Sequence, residues 1–295
     1  MELISIAAIA VIVLATAYAF VRKALLSLVY GVAILAVYAL QVVSAPFGSV
    51  IGSPITRDLG VLVQPGAAPA STSWITFEFV HGSETHVLLN LFGLLLISPV
   101  FEERIGSLRW AILFFIGGAF GALVFVLVHP AQPLLLVGAS AGIFAAFGAY
   151  GRLFPRERVT LFLPLPGVPS LPVIQMVVLF LALEIVLGVL LPGGIAWEGH
   201  AGALVFGFAA APAVMRLPLP GRRTPRLRSL TELRDLAPTP ELAQILEEAE
   251  RADLPETREA WMEKFVRAAR CPRCGGPLKT RFGRLTSDCG WRRAV

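Results

Sequence analysis

The chain is short of charge. Only 15% of its 295 residues are Asp, Glu, Lys or Arg, against about 25% in a soluble globular domain. With 56% apolar residues, that shortage excludes a wholly soluble protein and points to an all-α polytopic membrane protein with a smaller soluble part. Cysteine is scarce too. Cys271, Cys274 and Cys289 all lie near the C-terminal end and none falls in the apolar part, so no disulfide framework can be read. No Lys or Arg precedes the first apolar run, Ile4 to Phe20, whereas Arg22-Lys23 follow it. That order favours a retained span with its start outside over a cleaved signal peptide. What charge there is sits unevenly. From Arg216 onward 17 Lys/Arg face 11 Asp/Glu, and before it 8 face 9. A basic tail beside a membrane indicates the cytoplasmic side and anionic lipid rather than nucleic acid.

Six further apolar stretches follow the first. They run from Ala24 to about Ala45, Thr85 to Phe101, Trp110 to His129, Ser140 to about Gly151, Leu171 to Leu191 and Glu198 to Met215. Between the second and third lies Pro46 to Glu84, a long segment with one basic residue, Arg57. Its apolar pieces, Val61-Leu62-Val63 and Trp74 to Val80, suggest a loop partly embedded in the interface. Alternate connections divide cleanly by charge. One set holds Arg22-Lys23, Arg104, Arg109, Arg152, Arg156, Arg158 and the tail, and the other holds only Arg57. The positive-inside rule therefore puts the tail in the cytoplasm, and the first ends of the third, fifth and seventh spans outside.

Charged residues at the inner ends give a crude depth scale. Ser140 stands 12 residues before Arg152 and Asn90 stands 12 before Glu102, about 18 Å up at ~1.5 Å per residue. His86 stands 16 before Glu102 and His200 stands 16 before Arg216, about 24 Å up on the same scale. All four fall in the outer half of a hydrocarbon layer about 30 Å thick, within roughly one helical turn of a common level. Polar groups at that depth are costly and face a bundle interior or a wet cavity. His86 and Asn90, four apart, share a helix face. A serine at the mouth of a helix, a histidine on a second helix and a polar pair on a third are the parts of an acyl-transfer site: nucleophile, base and oxyanion donors. Backbone N–H groups around Ser140 add further donors. No carboxylate is obviously placed to orient His200, so a Ser-His dyad is expected rather than a triad.

These residues resemble the rhomboid family of intramembrane serine proteases over roughly Ala24 to Met215. Gly138-Ala139-Ser140 is similar to the family's Gly-x-Ser motif, and His81, His86 and Asn90 in HGSETHVLLN to its oxyanion signature. Glu102 to Arg109, EERIGSLR, resembles the acidic-Gly-basic turn. Gly199-His200-Ala201-Gly202, with Gly207, resembles the motif carrying the base. The chain departs from the pattern at Ala141 and Ala203, where glycine is usual, and at Thr72-Ser73, in place of a Trp-Arg pair. The resemblance implies a six-span core with one extra leading span, Ser140 as nucleophile and His200 as general base and acid. It implies His86, Asn90 and the Ser140 backbone at the oxyanion, with Gly138 and Gly202 as motif support. It also implies transmembrane segments of other proteins as substrates, and no cofactor for catalysis. The expected location is the cell membrane of a bacterium or archaeon. The rival reading is a non-catalytic relative that binds transmembrane clients; retention of both Ser140 and His200 favours the enzyme. A transporter is disfavoured, because the polar residues gather near one face with no inner counterpart.

The remaining candidates are read more plainly. His81 is expected to be a structural hydrogen-bonding residue under the first loop, and His129 an interfacial loop residue. Glu184 lies mid-span and is a functional candidate by that position; with no basic partner visible at its depth, a protonated, hydrogen-bonded carboxyl is expected. Glu198, at the outer mouth beside His200, is expected to be solvated. The domain boundaries are drawn at 1–23 for the leading span, 24–216 for the core, 217–238 for a linker, 239–270 for a helical region and 271–295 for a ribbon-like tail. Cys271-Pro-Arg-Cys274-Gly-Gly makes half of a zinc ribbon, but Thr286 stands where a fourth cysteine belongs and only Cys289 remains. A degenerate ribbon folding without zinc is expected. The alternative is metal bound by the three cysteines and completed by Asp288 or an outside group. The tail's partner is not legible.

Overall fold

In lipid, an apolar stretch of about 20 residues satisfies its backbone only as a helix or in a closed barrel. The computed structural model describes residues 1–64, 69–129, 133–159, 170–190, 196–219, 230–251, 255–281 and 284–294. Among these, every expected span is a helix. In chain order come α1 (Leu3–Arg22), α2 (Leu26–Ser44), α3 (Pro54–Leu59), β1 (Val61–Val63), α4 (Ser73–Thr76), α5 (Glu84–Ile105), α6 (Ser107–Val128), β2 (Leu134–Leu136), α7 (Ser140–Leu153), β3 (Arg158–Val159), β4 (Leu171–Pro172), α8 (Val173–Leu190) and α9 (Trp197–Arg216). α1, α2, α5 and α6 are each long and apolar enough to cross a bilayer. The chain is an integral membrane protein of the all-α polytopic class. Parts of the expected outer loop (130–132), the end of the sixth span (191) and much of the linker (220–229) lie outside the described residues.

Lipid tails are as apolar as leucine, so small residues and close van der Waals contact hold such helices together. α7 and α9 show this directly. A Cβ on Gly148 would stand 2.0 Å from the Leu204 carbonyl oxygen, and one on Gly207 would stand 1.9 Å from that of Ala145. The two glycines thus set the backbones in contact from both sides. Gly121 of α6 performs the same task against Gly199 O, 2.6 Å from its would-be Cβ, with the Cβ atoms of Ala203 and Ala141 at 2.8 and 3.2 Å. The volume that Ala141 and Ala203 add is therefore accommodated by a glycine on the facing helix.

Polar contacts tie the helix ends into two groups. In one, the buried Glu102 carboxylate accepts the Leu26 and Ser27 N–H groups at 2.7 and 2.8 Å, capping α2. Arg104 pairs with Glu157 at 2.7 Å, and Arg109 donates to the Leu217 and Leu219 carbonyls. In the other group, Glu2 meets Arg57 at 2.7 Å, the Glu2 N–H donates to Asp58 at 3.0 Å, and His129 lies 3.6 Å from Glu198. Membership of each group follows the alternation that seven consecutive spans require. Glu198, expected to be solvated, has His129 as its partner. Burial pushes the Asp58 carboxyl up, but hydrogen bonds from Ser5 and Glu2, with the chain's amino terminus and Arg57 close by, hold it below its ordinary value.

The loop after α2 is anchored to the segment that leads into α7. β1 pairs antiparallel with β2, Val61 opposite Leu136 and Val63 opposite Leu134. The apolar Val61-Leu62-Val63 piece is thus a strand whose backbone is satisfied by the approach to Ser140. Gln41 holds the loop's end, accepting the His81 N–H at 3.1 Å and donating to the His81 carbonyl at 3.0 Å. The structural bonding expected of His81 runs through its peptide, while its buried ring lies edge-on to His86 with centroids 5.0 Å apart.

The chain divides into two compact units, Met1–Arg222 and Arg223–Val295. The second contains α10 (Pro240–Arg251), α11 (Pro255–Ala268) and a three-stranded antiparallel sheet of β5 (Lys279–Arg281), β6 (Arg284–Thr286) and β7 (Arg292–Ala294). Its core includes Leu242, Ile245, Leu246, Phe265, Leu278 and Leu285. Leu233 and Leu236, in the stretch read as linker, form a 3-10 turn that packs into it.

Candidate active site

α7 has only 14 residues, about 21 Å of helix. It begins at Ser140 because the chain reaches that level extended, through β2 and Gly138. The serine accordingly sits at a helix N-terminus. The first intrahelical bond runs from the Ile143 N–H to the Ala139 carbonyl at 3.0 Å. The N–H groups of Ser140, Ala141 and Gly142 precede it and carry the positive end of the helix dipole.

The glycine contacts between α7 and α9 bring His200 beside Ser140. His200 Nε2 lies 2.7 Å from Ser140 Oγ. With the serine O–H donating to Nε2, the neutral imidazole carries its own proton on Nδ1. There the structure departs from the sequence expectation: Nδ1 lies 2.6 Å from Glu184 Oε2 of α8. Glu184 was expected to lack a basic partner and to be protonated; the partner is His200. The dyad is also corrected, since a carboxylate does stand behind the base. Phe144, one turn below Ser140, stacks on the other side of the base, its ring 4.9 Å from that of His200 and 7° from parallel. Glu184 and Phe144 together fix the position and the plane of the imidazole. Depth alone puts Glu184 at the right level: counted from Leu171 it is 13 residues up, about 20 Å and so level with Ser140.

His86 and Asn90 flank Gly138 on α5. The Gly82 N–H donates to His86 Nδ1 at 3.3 Å, which leaves the proton of a neutral ring on Nε2. A Cβ on Gly138 would stand 2.6 Å from His86 Nε2 and 3.8 Å from Asn90 Nδ2. Asn90 is buried and donates one amide hydrogen to the His86 carbonyl at 2.9 Å, and the other has no partner among the described residues. Gly138 also has φ of 114°. Any side chain there would be strained and would fill the space in front of both donors. The Gly138 N–H bonds to the Phe77 carbonyl at 2.9 Å, which ties this turn to the loop. Gly202 packs against Val124 of α6, whose side-chain carbons would stand 2.8–3.1 Å from a Cβ there.

Gly138, Ser140 and His200 line a cavity of about 10 Å³ together with Phe77, Gly121 and Gly199, close to the space that one water occupies. Behind it lies a group that sequence reasoning did not single out. Glu78 is fully buried, and neither carboxyl oxygen has a hydrogen-bond partner among the described residues. It is wedged between α6 and α7, where a Cβ on Gly118 would overlap Oε1 at 1.7 Å and one on Gly142 would approach Oε2 to 2.6 Å. The two glycines make the slot that this side chain fills.

The arrangement offers a hydroxyl polarised by a base, a carboxylate behind that base, and convergent N–H donors across a small space. Cys271, Cys274 and Cys289 belong to the other compact unit. No curated protein matches the chain. A family model described as the Rhomboid domain matches residues 69–217, just over half of the chain. That span contains Ser140, His200, His86, Asn90 and Glu184, and with this match the chain belongs to the rhomboid family.

Proposed function

We propose that the protein is an intramembrane serine endopeptidase that cleaves transmembrane segments of other membrane proteins. The single observation that carries this reading is the 2.7 Å contact between His200 Nε2 and Ser140 Oγ at the partly buried mouth of α7. Ser140 Oγ attacks the scissile carbonyl carbon as His200 Nε2 takes its proton. The imidazolium that forms is stabilised through its Nδ1–H by the Glu184 carboxylate. The carbonyl oxygen gains negative charge in the space in front of Gly138, where His86 Nε2–H, the free Asn90 amide N–H and the Ser140 N–H can donate to it. Collapse breaks the peptide C–N bond, and His200 returns its proton to the leaving amine. A water, deprotonated by His200, then attacks the acyl carbon, and His200 returns that proton to Ser140 Oγ as the acyl–oxygen bond breaks. None of these steps requires a cofactor. The substrate partners are single membrane spans reaching the site within the bilayer, with the tail on the cytoplasmic side.

A fluorophosphonate probe tests the nucleophile. The purified chain should be labelled on Ser140, and cleavage of a generic single-span substrate should disappear in Ser140→Ala. Labelling that persists in Ser140→Ala would reject the assignment. A folded wild-type protein that binds such substrates and cuts none would favour the client-binding reading instead.

A further inference from the structure

The proposed protease chemistry makes no use of the three cysteines, yet the fold gathers them. After α11 the chain turns through Cys271-Pro272-Arg273-Cys274, with the Gly275 N–H on the Cys271 carbonyl at 2.8 Å and the Cys271 N–H on the Gly276 carbonyl at 2.9 Å. The turn after β6 is a similar one, closed one residue tighter, at Ser287-Asp288-Cys289-Gly290, with the Gly290 N–H on the Ser287 carbonyl at 2.9 Å. Gly275 and Gly290, each just after a cysteine, both take positive φ, 68° and 82°. Two similar turns thus face each other and present their sulfurs inward. All three Sγ atoms lie within 4.8 Å of one another, and Cys271 and Cys289 are 3.7 Å apart.

That spacing identifies the chemistry. A disulfide holds its sulfurs about 2.0 Å apart. Zinc–thiolate bonds are about 2.3 Å long, and a tetrahedron of that size has edges of about 3.8 Å. The fourth corner is also legible. Thr286, at the place of the missing cysteine, donates to the Lys279 carbonyl at 3.2 Å. Asp288 is held by Lys279 Nζ at 2.9 Å. Ser287 is buried, and its Oγ lies 3.3 Å from Cys274 Sγ. An oxygen ligand at about 2.0 Å beside a sulfur at about 2.3 Å gives an edge of about 3.5 Å.

We propose that Cys271, Cys274 and Cys289 bind a zinc-class divalent ion as three thiolates, with the fourth position at Ser287 taken by its hydroxyl or by a water. The sequence expectation of a ribbon folding without metal is set aside, as is Asp288 as the completing ligand. Binding the ion releases the three thiol protons, and no redox change is involved.

The test uses the full chain in detergent, purified under reducing conditions, with zinc content measured directly and cobalt(II) as a spectroscopic probe. About one zinc per chain is expected, with a thiolate-to-cobalt charge-transfer band and tetrahedral visible bands on cobalt loading. Cys274→Ser and Cys289→Ser should each lose most of the metal, while Ser287→Ala should keep the stoichiometry. Ser287→Cys supplies a fourth thiolate and should raise zinc affinity by roughly tenfold or more, a gain that unfolding cannot mimic. Zinc below about a tenth of an equivalent with no charge-transfer band would overturn the proposal. So would unchanged metal content in Cys274→Ser, or no affinity gain in Ser287→Cys.

Discussion

Replacing Glu184 separates the proposed mechanism from a simple dyad. Its carboxylate touches His200 Nδ1 at 2.6 Å and lies on the far side of the imidazole from Ser140. In the proposed mechanism it acts only through His200, as a positioning residue. A hydrogen bond to a charged group contributes about 1.5–3 kcal/mol, and each 1.36 kcal/mol is a factor of ten in rate. Losing the charge should therefore lower kcat by roughly 10- to 150-fold. Glu184→Gln keeps an acceptor for Nδ1–H and so keeps the tautomer, giving a loss toward the lower end. Glu184→Ala leaves Nδ1 unpartnered and the ring held by Phe144 alone, giving a larger loss. The assay is cleavage of a single-span substrate in detergent and in proteoliposomes, with kcat and KM resolved and thermal unfolding recorded beside them. KM should stay close to wild type, since Glu184 is not placed to touch substrate, and the order Glu > Gln > Ala should appear in kcat. A folded Glu184→Ala protein with kcat within about twofold of wild type would refute the argument and restore the dyad.

His86→Ala and Asn90→Ala should each reduce kcat by about 10²–10³, the usual cost of one oxyanion donor; full turnover in either, measured with the same substrate, removes that residue from the site. Gly142→Ala should destabilise the wild-type protein in thermal unfolding, because its Cβ would meet Glu78 Oε2 at 2.6 Å. In a Glu78→Ala background that clash is gone while the one with the Phe114 ring at 2.8 Å stays, so the cost should fall without vanishing, and a double-mutant cycle should show a coupling of about 0.5–3 kcal/mol. Asp58 links pH to the docking of α1. Its carboxyl is held below its ordinary value, so its contribution to stability is present above the unfolded value of about 3.9 and is lost as pH falls through the lower folded value. Acid should accordingly weaken hydrogen-exchange protection at the start of α1 in wild type, and Asp58→Asn should show that weakness already at neutral pH.

Period and composition decided much of this protein before any coordinates. Seven apolar runs must be helices in lipid, because backbone groups there find no water, and the loop charges order them in space. Counting residues along helices of constant rise then placed Ser140, His200, His86 and Asn90 near one level, since depth is a one-dimensional quantity that sequence carries. Azimuth is not carried in that way. Which face of α8 turns toward α9 depends on packing among small residues, so the bond between Glu184 and His200 emerged only from the tertiary structure. Glu78 was hidden for the same reason. Its slot is formed by Gly118 and Gly142 on two other helices, and no local pattern around Glu78 announces them. The pairing of β1 with β2 joins residues more than 70 positions apart, and three-residue strands have no periodicity to read. In the tail, sequence supplied three cysteines and a gap at Thr286. Only the fold put Ser287 beside Cys274, because the second turn closes one residue tighter than the first and redirects which side chain faces the sulfurs.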